Sequence, residues 1–175
     1  NCYMVSSEPG GPAVIIDPGG ITPQLINAAE RTEVIAILLT HGHFDHTAAV
    51  DTMVRKTGAP VWLHPADREM LSDATLNGSF LMGMEQLVTA EPEAIDASTV
   101  IRFGKSSFTV IETPGHSRGG VTFVSNEEFV FAGDTLFKLS VGRWDLHGGD
   151  LNALMASVRT LVDTLPPGMT VYPGH

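Results

Sequence analysis

A short run of metal-binding residue types follows an apolar stretch in the first third of the chain. Three histidines and an aspartate occur within six positions: His41, His43, Asp45 and His46. Histidines two positions apart in a loop can converge on one cation, and the aspartate and third histidine can turn towards a second cation beside it. Imidazole and carboxylate ligands suit zinc, iron or manganese better than calcium. The run therefore predicts a metal site rather than a histidine-rich surface loop.

Three further candidate ligands occur later in the chain, each directly after a glycine that follows an apolar stretch. They are His116, Asp134 and His175. Residues at the ends of strands in a packed sheet are held rigidly. Their side chains can therefore meet at one edge of the sheet with the precision that a metal site requires. Any one of these residues alone would more often be structural, but five of the seven histidines fall in the combined set. The set indicates one shared centre.

The elements that must position these residues follow a repeating order of strands, a helix and another strand. Strands are predicted at 2–5, 13–17, 34–39, 61–64, 99–103, 107–113, 121–124, 129–132 and 170–172. Helices are predicted at 23–31, 47–56, 65–71 and 151–165, with Thr22 and Asp150 as N-caps and Gly58 as a C-terminal stop. Residues 73–98 are expected to form a mobile or partly helical excursion that could cover the site. Two packed sheets with helices outside would bury these strands.

Size and composition indicate a single domain spanning 1–175. The chain has 175 residues, of which 43 % are hydrophobic and 17 % charged, as in compact globular proteins. The net charge of −10 argues against a nucleic-acid partner, because phosphate binding needs a basic surface. No apolar run approaches the roughly 20 residues of a membrane span. Cys2 is the single cysteine, so no intrachain disulfide can form, which fits a cytoplasmic location.

The motifs, in their order, resemble those of the metallo-β-lactamase superfamily. The pattern His-x-His-x-Asp-His at 41–46, Gly-His at 115–116, Gly-Asp at 133–134 and Gly-His at 174–175 extends over nearly the whole chain. The resemblance implies an α/β fold, the four-layer αβ/βα sandwich of two facing mixed β-sheets with external helices. It also implies two divalent metal ions, zinc foremost, with iron or manganese as alternatives. One ion would be held by His41, His43 and His116, the other by Asp45, His46 and His175, with Asp134 as a bridge.

Such a centre indicates a metallo-hydrolase. Two divalent ions about 3.5–4 Å apart can share a water, lower its pKa towards neutrality and polarise a carbonyl as Lewis acids. The resulting hydroxide would attack the carbonyl carbon. Asp45 is the candidate catalytic residue, because it could orient the hydroxide or transfer a proton. No serine or cysteine nucleophile is needed.

Within the superfamily, the segment 133–150 and the first strand resemble the glyoxalase II-like group, the hydroxyacylglutathione hydrolases, most closely. The implied substrate is a small-molecule thioester, chiefly S-lactoylglutathione. Arg143 matches a basic residue that binds a carboxylate of the thiol moiety, and a guanidinium can pair with it in a bidentate manner. A structural contact of Arg143 within its loop remains open. The bridging Asp134 argues against antibiotic hydrolysis, because the superfamily's β-lactamases mostly lack this residue.

The ends of the chain bear on this assignment. It begins with Asn1 rather than Met and ends on the candidate ligand His175, so we expect trimmed termini. The helical domain that completes the glutathione pocket of full-size glyoxalase II is not part of this sequence. Specificity for the thiol therefore stays open.

Other functions remain open for the same residues. A glutathione persulfide dioxygenase of the same superfamily would use one iron held by His41, His116 and Asp134. A lactonase or phosphodiesterase would use the same two-metal site on another substrate. A non-catalytic binding protein would be expected to have lost a ligand, and all seven are present. Metal content, oxygen consumption and a substrate panel distinguish these alternatives.

Overall fold

In a computed structural model that describes residues 1–175, the strands form two five-stranded sheets and one short hairpin. In chain order the strands are β1 (Tyr3–Ser6), β2 (Ala13–Ile16), β3 (Val34–Leu38), β4 (Val61–Leu63), β5 (Glu93–Ala94), β6 (Val100–Phe103), β7 (Ser106–Glu112), β8 (Val121–Ser125), β9 (Phe129–Gly133), β10 (Leu136–Phe137), β11 (Ser140–Val141) and β12 (Thr170–Pro173). The first sheet has the order β1-β2-β3-β4-β5 and the second has the order β12-β9-β8-β7-β6. The hairpin joins β10 to β11.

Both sheets are mixed, as the resemblance to the superfamily implies. In the first sheet β1 is antiparallel to β2, whereas β2 to β5 are mutually parallel. In the second, β6 to β9 are antiparallel neighbours and β12 joins parallel to β9. It follows that β7, β9 and β12 run in one direction. The loops after β7, β9 and β12 leave the carboxyl ends of these co-directional strands, and the loop after β3 leaves the carboxyl end of a strand in the first sheet. Each of the four loops carries candidate ligands.

Four helices and two 3₁₀ helices complete the chain. They are α1 (Pro23–Arg31), α2 (Phe44–Thr47), α3 (Val50–Thr57) and α4 (Leu151–Thr164), with 3₁₀ helices at Pro65–Ser72 and Ser79–Met82. The predicted caps are confirmed: Thr22 accepts from Leu25 N, and Asp150 accepts from Ala153 N. Gly58 ends α3 with a φ of 70°, in the left-handed region that glycine tolerates. None of these helices combines the length and apolar content needed to cross a bilayer.

The core consists of two apolar layers on either side of the first sheet. One layer packs the two sheets against each other, and its members include Val14, Ile16, Leu38, Phe108, Phe123 and Phe131. The other packs the first sheet against α1 and α3, and its members include Ile15, Ile37, Leu25, Val50 and Met53. Strand β2 is buried at all four positions because both of its faces are covered. Beside the second sheet, the buried Ser157 of α4 donates to Pro114 O at 2.7 Å. The architecture is the expected four-layer αβ/βα sandwich.

Local details differ from the predictions at three places. The helix predicted at 47–56 consists of α2 and α3, because Ala49 N bonds to Pro18 O instead of continuing one helix. Helical structure therefore starts at Phe44 and includes Asp45 and His46. The segment at 73–98 contains one 3₁₀ helix, in line with the partly helical prediction, but it also contains β5, which was not predicted. The hairpin of β10 and β11 was not predicted, since strands of two residues show no periodicity.

Candidate metal centre

The structure gathers all seven candidate ligands at one edge of the sandwich. The ligand atoms of His41, His43 and His116 all lie within 4.8 Å of one another. The same holds for the second group, which consists of Asp45, His46 and His175. These are the two groups that the family resemblance implies, and their members are separated by up to 130 positions in the chain.

Asp134 lies between the two groups. Its Oδ1 is 3.3 Å from His46 Nε2, and its Oδ2 is 3.6 Å from both His116 Nε2 and His175 Nε2. On the outer side, Asp45 Oδ2 approaches His175 Nε2 to 3.1 Å. One carboxylate thus contacts ligand atoms of both groups, which is the geometry required of a bridging ligand.

The backbone leaves space for this carboxylate only because of a glycine. A Cβ at position 174 would collide with Asp134 Oδ1 and would lie 2.7 Å from His46 Cε1. Gly174 is tied to the neighbouring strand by its N–H, which donates to Gly133 O at 2.7 Å. The glycine before His175 therefore allows the last strand to approach the centre of the site.

Hydrogen bonds orient three of the histidines so that Nε2 faces the centre. His41 Nδ1 lies 3.0 Å from Thr40 Oγ1, whose hydroxyl donates to Asp17 at 2.6 Å. His46 Nδ1 donates to the same Asp17 carboxylate at 3.0 Å, and His116 Nδ1 donates to Arg143 O at 2.7 Å. Since each Nδ1 serves as the donor, Nε2 is the nitrogen that offers a lone pair to a metal ion when the ring is neutral.

Asp17 is a functional residue that the sequence reasoning missed. It is buried, has a φ of 50°, and orients His46 directly and His41 through Thr40. Its sequence context predicts only the end of a strand before Pro18. Its position directly after a buried strand, shared with the other site residues, was the available indication.

Asp67 is a second missed residue, and it connects two ligand loops. It is fully buried, and its Oδ2 accepts from Gly42 N at 3.1 Å and from Ser117 Oγ at 2.6 Å. Its Oδ1 accepts from Gly119 N at 2.6 Å. Gly42 and Ser117 belong to the loops that carry His43 and His116. No local pattern around position 67 reveals this role, because its partners are 25 to 52 residues away.

Burial keeps the first group of histidines neutral. It lowers the pKa of His41 well below its usual value, and the neighbouring His46 and His43 add to this effect. Burial and the nearby His116 likewise lower the pKa of His43 to about 3. The pKa of His116 is also lowered by burial, although Asp134 opposes the shift. Neutral imidazoles offer the lone pairs that a metal ion needs.

The second part of the site stabilises positive charge. Burial by itself lowers the pKa of His46, but the carboxylates of Asp17 and Asp134 outweigh it and raise this pKa to about 10. For Asp134, burial raises the pKa, and the hydrogen bond and charge of His46 reverse the shift to a net lowering. A position flanked by the buried carboxylate of Asp17 and the largely buried carboxylate of Asp134 is electrostatically suited to a cation.

The residues present fit a pair of divalent ions. His41 Nε2 is buried and has no hydrogen-bond partner within the chain. A buried polar atom without a partner is costly, and this one points into the cluster where the other ligand atoms converge. A set of imidazole nitrogens and carboxylate oxygens matches zinc, iron or manganese.

A cleft of about 640 Å³ opens over this cluster. Arg143 lines it, but its guanidinium makes a two-point contact with Asp145, with both N–O distances at 2.8 Å. This pair is exposed to solvent, where such pairs contribute little stability. Arg143 therefore makes a structural contact within its loop, and in addition its carbonyl orients His116.

Fold and centre together define a metal-dependent hydrolase. The family description "Metallo-beta-lactamase superfamily" matches residues 1–175. The probable metallo-hydrolase YqgX of Bacillus subtilis is 38 % identical, with 100 % of this chain and 84 % of that protein covered. The hydroxyacylglutathione hydrolase GloC of Haemophilus influenzae is 28 % identical over 100 % of this chain and 84 % of its own length. The chain belongs to the metallo-β-lactamase superfamily.

Solved structures agree with this assignment. The crystal structure of the BLEG-1 B3 metallo-beta-lactamase superimposes with a TM-score of 0.91 at 39 % identity, covering 100 % of this chain and 86 % of that one. The structure of TTHA1623 in a di-iron-bound form gives a TM-score of 0.85 at 39 % identity, with the same coverage. Relatives with this fold thus include a lactamase and a protein that binds two iron ions.

Proposed function

We propose that this protein hydrolyses a thioester of a small thiol, of the S-lactoylglutathione type, at a centre of two divalent metal ions. The observation that carries the proposal is the arrangement of two three-residue ligand groups around the carboxylate of Asp134. The similarity to GloC, whose name describes a hydroxyacylglutathione hydrolase, supports the choice of a thioester. Zinc is the first candidate for the metal, and the di-iron form of TTHA1623 keeps iron as an alternative.

The seven ligands have separate tasks in this proposal. His41, His43 and His116 would hold one ion, Asp45, His46 and His175 would hold the other, and Asp134 lies within reach of both groups. When bound, the ions would supply Lewis acidity and lower the pKa of a water molecule. Asp17 and Asp67 keep the ligands in place from behind the cluster.

Asp45 is the proposed proton carrier. It is 41 % exposed and lines the cleft, so it can reach both the reacting water and the solvent. In the reaction the acyl carbon gains the water oxygen, the C–S bond breaks and the sulfur leaves with the electron pair of that bond. Asp45 passes the proton of the water towards the leaving sulfur, and the products are a carboxylic acid and a free thiol.

Arg143 is proposed to bind a carboxylate of the thiol moiety. It lines the cleft, and its guanidinium already holds the carboxylate of Asp145 in bidentate geometry. A substrate carboxylate would replace Asp145 as the partner, which is feasible because the existing pair is solvent-exposed and weak.

The first experiment combines metal content with a substrate panel. Protein purified without chelator is analysed for zinc, iron and manganese, then tested with S-lactoylglutathione, a lactone, a phosphodiester and a β-lactam. About two metal ions per chain and preferred turnover of the thioester support the proposal. Preferred turnover of the β-lactam would instead indicate a β-lactamase, as the name of BLEG-1 describes. A single iron with oxygen consumption on glutathione persulfide and no thioester turnover would identify a dioxygenase.

A further inference from the structure

An apolar wall borders the cleft next to the metal centre. It consists of Phe44, Leu81 and Met82, which all line the cleft. Leu81 and Met82 are 72 % and 66 % exposed, and Phe44 is half-buried. Large apolar side chains left in water beside a cleft mark a place where a ligand covers them.

Buried polar contacts hold this wall at its base. Asn77 donates from Nδ2 to Gln86 O at 2.7 Å, and its Oδ1 accepts from Ser79 N at 2.9 Å. Ser79 Oγ in turn accepts from Gln86 N at 3.1 Å. Phe44 N donates to Asn77 O at 3.1 Å, which links the segment to α2. Because Asn77 and Ser79 are almost fully buried, the exposed apolar residues above them are presented by an ordered base.

A different segment supplies Arg143, the one charged lining residue outside the candidate ligand set. Arg143 follows β11, far along the chain from the apolar wall, and the same segment contributes Ser140 and the apolar Phe137, Val141 and Leu146 to the lining. A thioester has two groups to accommodate, one on each side of the reacting carbonyl. With the thiol moiety assigned to Arg143, the apolar wall is left for the acyl group, and Phe44 places it directly beside Asp45 in the chain.

We infer that the apolar wall binds the acyl group of the substrate, and that this group is an uncharged aliphatic or aromatic chain larger than lactoyl. The inference rests on the proposed thioesterase function and names its acyl class. A lactoyl group has one methyl and one hydroxyl, so it can cover little of the Leu81 and Met82 surface. Each methylene moved from water onto an apolar surface favours binding by about threefold to fourfold.

The test is an acyl series on one thiol. Lactoyl, acetyl, butanoyl and hexanoyl thioesters of glutathione are compared by kcat/KM. We expect hexanoyl to exceed acetyl by at least about tenfold, which is below the full methylene increment because the cleft is open. The double variant Leu81→Ser, Met82→Ser is expected to flatten the series. Val162→Ser, an equally exposed apolar position on α4 outside the cleft lining, is the matched control and should retain the slope.

The outcomes separate this inference from the proposed function. A flat or falling series with retained hydrolysis overturns the acyl assignment, and so does an unchanged slope in the double variant. If no thioester is hydrolysed, the proposed function fails, and the wall is then tested by binding alone. Calorimetry of the metal-free protein measures the Kd of S-methylglutathione and of S-hexylglutathione, which differ only in the length of the alkyl group. Tighter binding of the hexyl compound by about tenfold, lost in the double variant, supports the apolar wall, whereas equal Kd values refute it.

Discussion

Replacing Asp67 with alanine tests whether this residue holds the two ligand loops together. The carboxylate is fully buried and accepts three hydrogen bonds, from Gly42 N, Ser117 Oγ and Gly119 N. None of its partners belongs to the metal ligands themselves. The variant Asp67→Ala therefore removes a contact behind the site without removing a ligand.

The expected loss of stability follows from the donors left behind. Each buried donor without an acceptor costs about 1–3 kcal/mol, so three donors give about 3–9 kcal/mol. Water that enters the space of the lost carboxylate can accept from some of these donors. We therefore expect the free energy of unfolding to fall by about 4 kcal/mol. For a chain of this size, that corresponds to a fall in Tm of about 8–16 °C.

Metal affinity is expected to fall as well. Gly42 lies between His41 and His43, and Ser117 directly follows His116, so both loops relax when their common acceptor is lost. Loss of a group that orients metal ligands typically weakens metal binding by about 10–100-fold. Stability is measured by urea and thermal unfolding of the metal-free protein, and affinity by competition with a chromophoric chelator.

Two variants serve as controls for Asp67→Ala. Asp163→Ala removes an exposed carboxylate on α4 and should change stability by less than about 0.5 kcal/mol. Ser117→Ala removes one of the three donors and should cost about 1 kcal/mol. If Asp67→Ala matched Asp163→Ala in both Tm and metal affinity, the proposed role of Asp67 in connecting the two ligand loops would be refuted.

Three further predictions concern the centre and the cleft. His43→Ala is expected to leave the fold intact but to lower metal content to about one ion per chain and abolish hydrolysis, since it removes a ligand from the first group. Gly174→Ala is expected to weaken metal binding by at least about tenfold, because its Cβ would collide with the Asp134 carboxylate. Arg143→Ala is expected to raise KM for a glutathione thioester several-fold with little change in kcat, because it removes binding that ground state and transition state share.

Each of these variants has a matched control. His147→Ala removes an exposed histidine outside the ligand set and should keep full metal content and activity. Gly20→Ala adds a Cβ with nothing within 4 Å and should bind metal normally. Asp145→Ala frees the Arg143 guanidinium and should leave KM unchanged or lower it. Full activity of His43→Ala would contradict the ligand assignment, and an unchanged KM of Arg143→Ala would remove that residue from substrate binding.

Much of the fold could be predicted because its determinants are local. The caps at Thr22 and Asp150 and the stop at Gly58 are contacts within a few residues, and all three are present as predicted. Apolar runs located the main strands to within about two residues. Elements without a periodic pattern escaped prediction, above all the hairpin at 136–141 and the division between α2 and α3.

The sequence by itself determined which residue types are available for a metal centre and where they follow strands. The spacing at 41–46 and the glycines before His116, Asp134 and His175 are properties of the chain alone. Only the tertiary structure decided how these ligands are oriented. Asp17 and Asp67 contact partners 23 to 52 residues away, and such contacts depend on how strands from two sheets meet at one edge. The same is true of the apolar wall: no spacing along the chain reveals that Leu81 and Met82 border the cleft, since folding alone brings their segment beside Asp45.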